Sequence, residues 1–262
     1  MISLIFPMYN PGLAAERCFH RMREFLQFRH EPWEVLFVSD GSTDNSPTRL
    51  RQLCHDHNEH RFRVIEYTPN RGKGFAVRTG MLAARGDYRL FTDIDLHFLQ
   101  GIGGAVDALK SGAAMVIASR THSQSEFVAP FRLMHYIYRR KLQSLAFSRA
   151  VRTLLPISQR DTQAGLKGMT AAVAEQILPR TRRCGFSFDC EWLMAAVRLQ
   201  IPVKEIPVRV DYEDELSTTR TFTALRMLQE VWRIRKDWGG KIPDPQVIPL
   251  PGSQEFRRDQ AA

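Results

Sequence analysis

The chain opens on an apolar run, ISLIFP at 2–7, and similar runs recur at EVLFVS (34–39), FRVIEY (62–67), YRLFTD (88–93) and AAMVIAS (113–119). Between the first four lie helix-like stretches, with an apolar residue every three or four positions in the first of them. One such stretch runs from Leu13 to about Phe28, a second over 45–57 behind the turn and capping residues DGSTDNS, and a third over 72–84, opened by glycines. Stretches of that period and length read as helices, and short apolar runs bounded by Gly, Pro, Asn and Asp read as strands. Strands alternating with helices predict right-handed β-α-β units and a mostly parallel sheet. The strands are apolar nearly throughout, as strands covered on both faces are. The expected fold is α/β, a Rossmann-like sheet with helices on both faces.

Beyond residue 120 the pattern changes. Residues 121–129 read as loop, 130–148 as a basic, aromatic helix, and DTQAGLKGM (161–169) as a return toward the sheet. A helix over 186–199, a strand over 203–210 and a second basic amphipathic helix over 220–238 follow. After Gly239 the four prolines Pro243, Pro245, Pro249 and Pro251 predict an extended or disordered tail. The division expected is a first half at 1–120, a second half of the same domain at 121–238, and a tail at 239–262.

In sheets of this kind ligands bind at the carboxyl ends of the strands. Polar residues gather at those ends: Tyr9 and Asn10 after the first run, Asp40 after the second, Asn70 after the third, Asp93 and Asp95 after the fourth, Ser119 and Arg120 after the fifth. Five polar strand ends on one edge amount to one site.

Composition narrows the class. The 262 residues, 44% hydrophobic and 25% charged, are those of an ordinary globular domain. No run approaches the roughly 20 apolar residues that cross a bilayer, and MISLIFPMYNPG lacks the basic start of a signal peptide. A cytoplasmic chain is expected. Cys18, Cys54, Cys184 and Cys190 show no C-x-x-C spacing and read as reduced packing residues. The net charge of +9 attracts phosphates of any kind. No RNA- or DNA-binding motif accompanies it, so nucleic acid is not an expected partner.

The sharpest candidate for chemistry is LFTDIDLH (90–97). If the strand continues extended, Asp93, Asp95 and His97 project the same way and converge on one cation. Two carboxylates suit Mg²⁺, whose shell is completed by water and substrate phosphates, and an imidazole tilts the preference toward Mn²⁺. Asp40, before Gly41, can accept hydrogen bonds from a base or ribose, whereas Asp44 reads as a cap for the next helix. NRGKGFAVRTG (70–80) places glycines at a helix N-terminus, where N–H groups favour anions, and Lys73 can neutralise a phosphate. Its spacing is neither a P-loop nor G-x-G-x-x-G.

FPMYNP, VSDGSTD, NRGKGFAVRTGMLAARGDY, FTDIDL and RDTQAGLKGM, in this order and spacing, resemble a family 2 glycosyltransferase of GT-A fold. The nearest subgroup is the dolichyl- or polyprenyl-phosphate glycosyltransferases of the β-glucosyltransferase type. DTQAGLK, GFSFDCEWL and IPVKEIPV resemble its acceptor-side half, and the match spans roughly residues 1–236. The resemblance implies that Pro7, Tyr9, Val38 and Asp40 hold the nucleoside, and that Asp93 and Asp95 serve nucleotide and metal. His97 stands where relatives often have a glutamine ligand. Arg120 in ASR matches an arginine that meets an acceptor phosphate, with Arg132 a second. Three departures stand out: Pro11 in place of a glutamate, Ser39 in place of the first aspartate of D-D-G-S, and ELSTTRTF (215–222) in place of a G-S-K segment.

The activity implied is inverting transfer from a nucleotide-diphosphate sugar (UDP-glucose or GDP-mannose type), with Mg²⁺ or Mn²⁺, to a polyprenyl phosphate. A phosphate acceptor is already ionised, and Arg120 and Arg132 would position it by charge-assisted hydrogen bonds. A soluble hydroxyl acceptor would need a base, for which Asp161 is the candidate. A non-catalytic nucleotide- or RNA-binding module is the alternative from another class. The helices at 130–148 and 220–238 interleave aromatic and aliphatic residues with Arg and Lys. That composition suits peripheral contact with an anionic membrane at its inner face, and equally a core-facing stripe with a basic outer face.

Overall fold

In the computed structural model, which describes residues 1–211, 222–248 and 250, the five apolar runs become β1 (Ile2–Met8), β2 (Trp33–Asp40), β3 (Phe62–Tyr67), β4 (Tyr88–Thr92) and β5 (Met115–Ala118). Helices α1 (Leu13–Gln27), α2 (Ser46–Asp56) and α3 (Lys73–Ala83) connect the first four, and α4 (Gly101–Lys110) leads into β5. The remainder comprises β6 (Glu126–Val128), α5 (Met134–Leu154), β7 (Leu166–Thr170), α6 (Ala171–Ile177), α7 (Phe188–Arg198), β8 (Val203–Ile206), β9 (Arg209–Asp211) and α8 (Phe222–Gly239).

The main sheet has the order β3-β2-β1-β4-β7-β5-β8. Only β7 runs antiparallel, between β4 and β5. The carboxyl ends of the parallel strands therefore share one edge, and the start of β7 brings residues 161–165 to that same edge. Because β7 sits between strands of the first 120 residues, the two expected halves share one sheet.

Side chains alternate between the two faces with the period of a strand. Ile5, Leu36, Val38, Phe91 and Ile117 face α3, α7 and α8. Leu4, Phe6, Phe37, Leu90 and Val116 face α1, α2 and α4. On α8 the buried residues Met227, Val231, Ile234 and Trp238 form one helical stripe, so the apolar side of that basic helix is spent on the core. Each large side chain removed from water in this way contributes about 1.5–3 kcal/mol.

Several elements depart from expectation. Helix α4 has three glycines and no capping residue, yet Ile102, Ala105, Val106 and Leu109 give it a buried face. The expected strand at 203–210 is broken at Pro207, which has no N–H to give a ladder. Its second piece, β9, pairs in parallel with β6 inside the expected loop 121–129. Described tail residues beyond Gly239 form neither helix nor strand, but the Gln246 N–H donates to the Pro179 carbonyl at 2.7 Å. Among the described residues no helix is long and apolar enough to cross a membrane.

Candidate active site

Strand β4 stops at Thr92, and the chain turns rather than continuing extended. The Leu96 N–H donates to the Asp93 carbonyl at 3.1 Å, and Leu96 takes a φ of +59°. The three candidate ligands therefore do not project together as the extended reading required. Asp93 faces α3, with Oδ1 2.5 Å from Lys73 Nζ. Asp95 and His97 do come together, Oδ2 to Nε2 at 3.3 Å. Among the described residues no group of three His, Cys, Asp or Glu side chains is gathered as a cation cage.

The pair still fits a divalent cation. His97 Nδ1 lies 2.9 Å from the Asp211 carbonyl, which can only accept, so Nδ1 carries the hydrogen. In the neutral ring Nε2 then presents a lone pair beside Asp95, an arrangement typical of a metal-bound histidine. Neighbouring donors of an octahedral shell at 2.0–2.1 Å lie about 3.0 Å apart, close to this spacing. Burial, then the charge of Asp93, raise the Asp95 carboxyl above its ordinary value, with His97 and Lys73 pulling the other way.

Asp40 closes β2, as expected, and its carboxylate is bonded to the chain itself. It is buried, and it accepts from the Tyr67 hydroxyl (2.8 Å) and from the N–H groups of Arg71 (2.8 Å) and Gly72 (2.9 Å). Asn70 Nδ2 donates to its carbonyl. Asp40 is thus itself the anion at the start of α3, and the Gly74 N–H is taken by the Cys184 carbonyl at 2.7 Å. The glycine-rich turn is a tightly bonded corner whose donors are largely committed. The N–H groups of this turn serve the chain itself, and Lys73, three-quarters buried, is the charged group it presents beside Asp93.

At the first strand end, Asn10 Oδ1 accepts from the N–H of Thr43 (2.7 Å) and Asp44 (3.3 Å), clamping the turn after β2. Asp44 accepts from the N–H and hydroxyl of Ser46, the first residue of α2, but the N-cap position itself is Asn45, which makes no side-chain cap bond. Tyr9 is exposed beside this clamp. Pro7 and Val38 are buried and paired in register across β1 and β2.

On the acceptor side, the two roles expected separately for Arg120 and Asp161 are joined in one ion pair. Arg120 Nε and Nη2 bind the two Asp161 oxygens at 2.7 and 2.9 Å, its N–H adds a third bond at 2.9 Å, and Nη2 also reaches Ser144. Burial opposes charge on Asp161, but Arg120 outweighs it and holds the carboxyl below its ordinary value. A buried, bidentate carboxylate of lowered basicity is unsuited to serve as a general base, and that expectation is corrected. Arg132 is exposed on a 3-10 turn (Phe131–Leu133) before α5. Residues 215–221 of the ELSTTRTF segment lie outside the described residues.

The profile of glycosyl transferase family 2 matches residues 3–175. The chain belongs to that family. Dolichyl-phosphate beta-glucosyltransferase of Saccharomyces cerevisiae is 28% identical over 254 residues, covering 89% of this chain and 74% of the relative. The enzyme of the same name from Drosophila melanogaster is 30% identical over 245 residues, with the same coverage. Among solved structures, glucosyl-3-phosphoglycerate synthase of Mycobacterium tuberculosis, in complex with Mn²⁺, UDP and phosphoglyceric acid, superposes with a TM-score of 0.61 at 19% identity. It covers 97% of this chain and 84% of its own. The fold is GT-A.

In this transferase a second layer of charge behind the strand ends escaped the sequence reading. Lys167 on β7 is fully buried, 3.0 Å from Asp189 Oδ1, and it donates to the Ala164 carbonyl at 2.7 Å. Burial raises the Asp189 carboxyl, with Lys167 and Lys73 opposing. Two residues on, buried Glu191 accepts the N–H groups of Arg182 and Arg183 and the Trp238 indole. The signals were present: a lysine in the middle of an apolar strand, and two acids in the first turn of a helix.

Proposed function

We propose that this transferase moves a hexosyl group from a nucleoside-diphosphate sugar to a polyprenyl phosphate, with Mg²⁺ or Mn²⁺ held by Asp95 and His97. The observation that carries the reading is the Asp95–His97 pair, with Nδ1 anchored on Asp211 and Nε2 turned to the carboxylate. When bound, the cation supplies positive charge to the diphosphate leaving group. Lys73 adds a second positive charge at the same strand end. Tyr9 flanks the nucleoside, and Asp40 acts on the donor site by holding the Gly72 N–H just before Lys73. Asp93 serves the nucleotide.

The names of the relatives support a lipid-phosphate acceptor. The commitment of Asp161 to Arg120 supports it too, since a phosphate needs no base and a hydroxyl would. Arg132 is the acceptor-side arginine, and Arg120 fixes the loop after β5. Helix α5 and the turn before it supply a surface for the lipid: Met134, Tyr138, Leu142 and Leu145 are exposed along one helical face, and Phe131 on the turn is 93% exposed. His135 and Arg139 flank that face, and Arg149 and Arg152 continue it. An exposed apolar stripe with a basic border is how a helix lies at an anionic bilayer surface.

Labelled UDP-glucose and GDP-mannose, offered with a short-chain polyprenyl phosphate and Mn²⁺, Mg²⁺ or EDTA, test the proposal. Lipid-linked sugar should form with one donor and be abolished by EDTA. Transfer to soluble alcohols alone, or full transfer in EDTA, overturns the acceptor or the metal part respectively.

A further inference from the structure

Asp93 is gripped from two sides. Lys73 Nζ lies 2.5 Å from Oδ1, and Oδ2 packs so closely on Gly165 that a Cβ there would collide with it. Asp95 and His97, the donors for a cation, follow within one turn. Lys73 is the first residue of α3, fixed by Gly72, whose φ of +99° and approach to the Cys184 carbonyl leave no slack in the backbone. Its side chain is three-quarters buried. Asp189 acts on the same ammonium from the side of α7, and is itself tied to Lys167. The charges therefore alternate: Lys167, Asp189, Lys73, Asp93.

We propose that Lys73 is an exchangeable counter-ion that occupies Asp93 until the donor diphosphate draws it away, so that cation binding is coupled to nucleotide binding through this side chain. The proposal rests on the metal-dependent reading above. A dication arriving at Asp95 and His97 meets the Lys73 charge beside it, and the negative charge of Asp93 is spent on that ion pair while it stands. A diphosphate carries more charge than one carboxylate and offers the ammonium a better partner. The four-carbon stem of lysine permits the swing while its base stays fixed, and Asp189 keeps the ammonium within the site. Coupling between two ligands is reciprocal, so the cation should strengthen nucleotide binding by the same factor.

Mn²⁺ affinity, measured by calorimetry with and without UDP, tests this on the wild type, Lys73→Met and Arg71→Met. Arg71 supplies the control for loss of a nearby charge, because its guanidinium rests 4.1 Å over the Phe75 ring and not on Asp93. Lys73→Met should bind Mn²⁺ alone about tenfold more tightly than wild type, a difference of about 1.4 kcal/mol. UDP should then add correspondingly less, and Arg71→Met should change either quantity far less. Lys73→Gln, which keeps a polar end, repeats the measurement if circular dichroism shows the Met variant misfolded. Wild type that binds Mn²⁺ with UDP, but whose affinity and coupling survive Lys73 substitution, overturns the counter-ion role alone. Wild type that binds no Mn²⁺ even with UDP overturns the metal reading and this proposal together.

Discussion

A carboxylate with 1% of its side chain exposed, as at Asp161, is stable only if it is matched by charge and hydrogen bonds. Arg120 provides both, and lowers the Asp161 carboxyl despite burial. A carboxyl lowered on folding stabilises at every pH above its unfolded value, and loses that contribution as pH falls through the folded value. The pair should therefore weaken only below about pH 4. Arg120→Ala should cost about 3–5 kcal/mol at neutral pH, because it strands a buried charge. Its stability deficit in urea should narrow from pH 7 to pH 4.5 as the stranded carboxyl takes up a proton. A deficit constant over that range would show that the pair is not an ion pair. Arg120→Ala is thus a poor probe of acceptor binding, and Asp95→Asn is the cleaner test of chemistry. The latter should melt like wild type and lose more than the ~10–100-fold that a missing supporting partner costs at a metal site; near-normal metal-dependent turnover would remove Asp95 from the site. The two carboxylates of LFTDIDLH were legible because they interrupt an apolar run. The turn that separates them was not, since nothing in the sequence marks Leu96 for a positive φ. Nor was the Arg120–Asp161 pair, which closes across 41 positions.

Strands β1 to β5 were legible because each is a contiguous apolar run between turn residues, α1 because it is amphipathic, α2 from the turn and capping residues before it, and α3 from its glycine opening and length. Helices α4 and α6 were not: the first is glycine-rich, and the second has only seven residues. The corner at the start of α3 was legible as glycine-rich, but not that its glycines serve close packing and its N–H groups serve Asp40. That distinction is measurable. Gly72 and Gly112 share a φ of +99°, but a Cβ on Gly72 would stand 2.5 Å from the Cys184 carbonyl, whereas Gly112 has nothing within 4 Å. Gly112→Ala should cost only backbone strain, about 1–3 kcal/mol. Gly72→Ala should cost more than Gly112→Ala in the same melting experiment, and should also weaken UDP binding by displacing Lys73. Equal losses, with UDP affinity intact, would mean the corner yields without moving the lysine.

For the molecule as a whole, the open question is what meets the stripe on α5, because α8 buries its own stripe against the sheet and α5 does not. Among the described residues of α5, Val151 enters the core with Phe147 and Leu154 packed against it, while Met134, Tyr138, Leu142 and Leu145 stay exposed. A net charge of +9 favours an anionic surface over a neutral one. The protein should therefore float with vesicles rich in phosphatidylglycerol, bind pure phosphatidylcholine weakly, and be released in part by high salt. Replacing Met134, Tyr138 and Leu142 together with serine should abolish flotation. The melting temperature should hardly move, since surface substitutions of this kind cost within about 0.5 kcal/mol each. Sedimentation velocity on the same pair of proteins separates the competing explanation. If the wild type self-associates with rising concentration and the triple variant does not, while neither floats, the stripe joins two copies of the chain and membrane contact is excluded. If both proteins float equally, the bilayer is met by another face, and the lipid acceptor must approach from there.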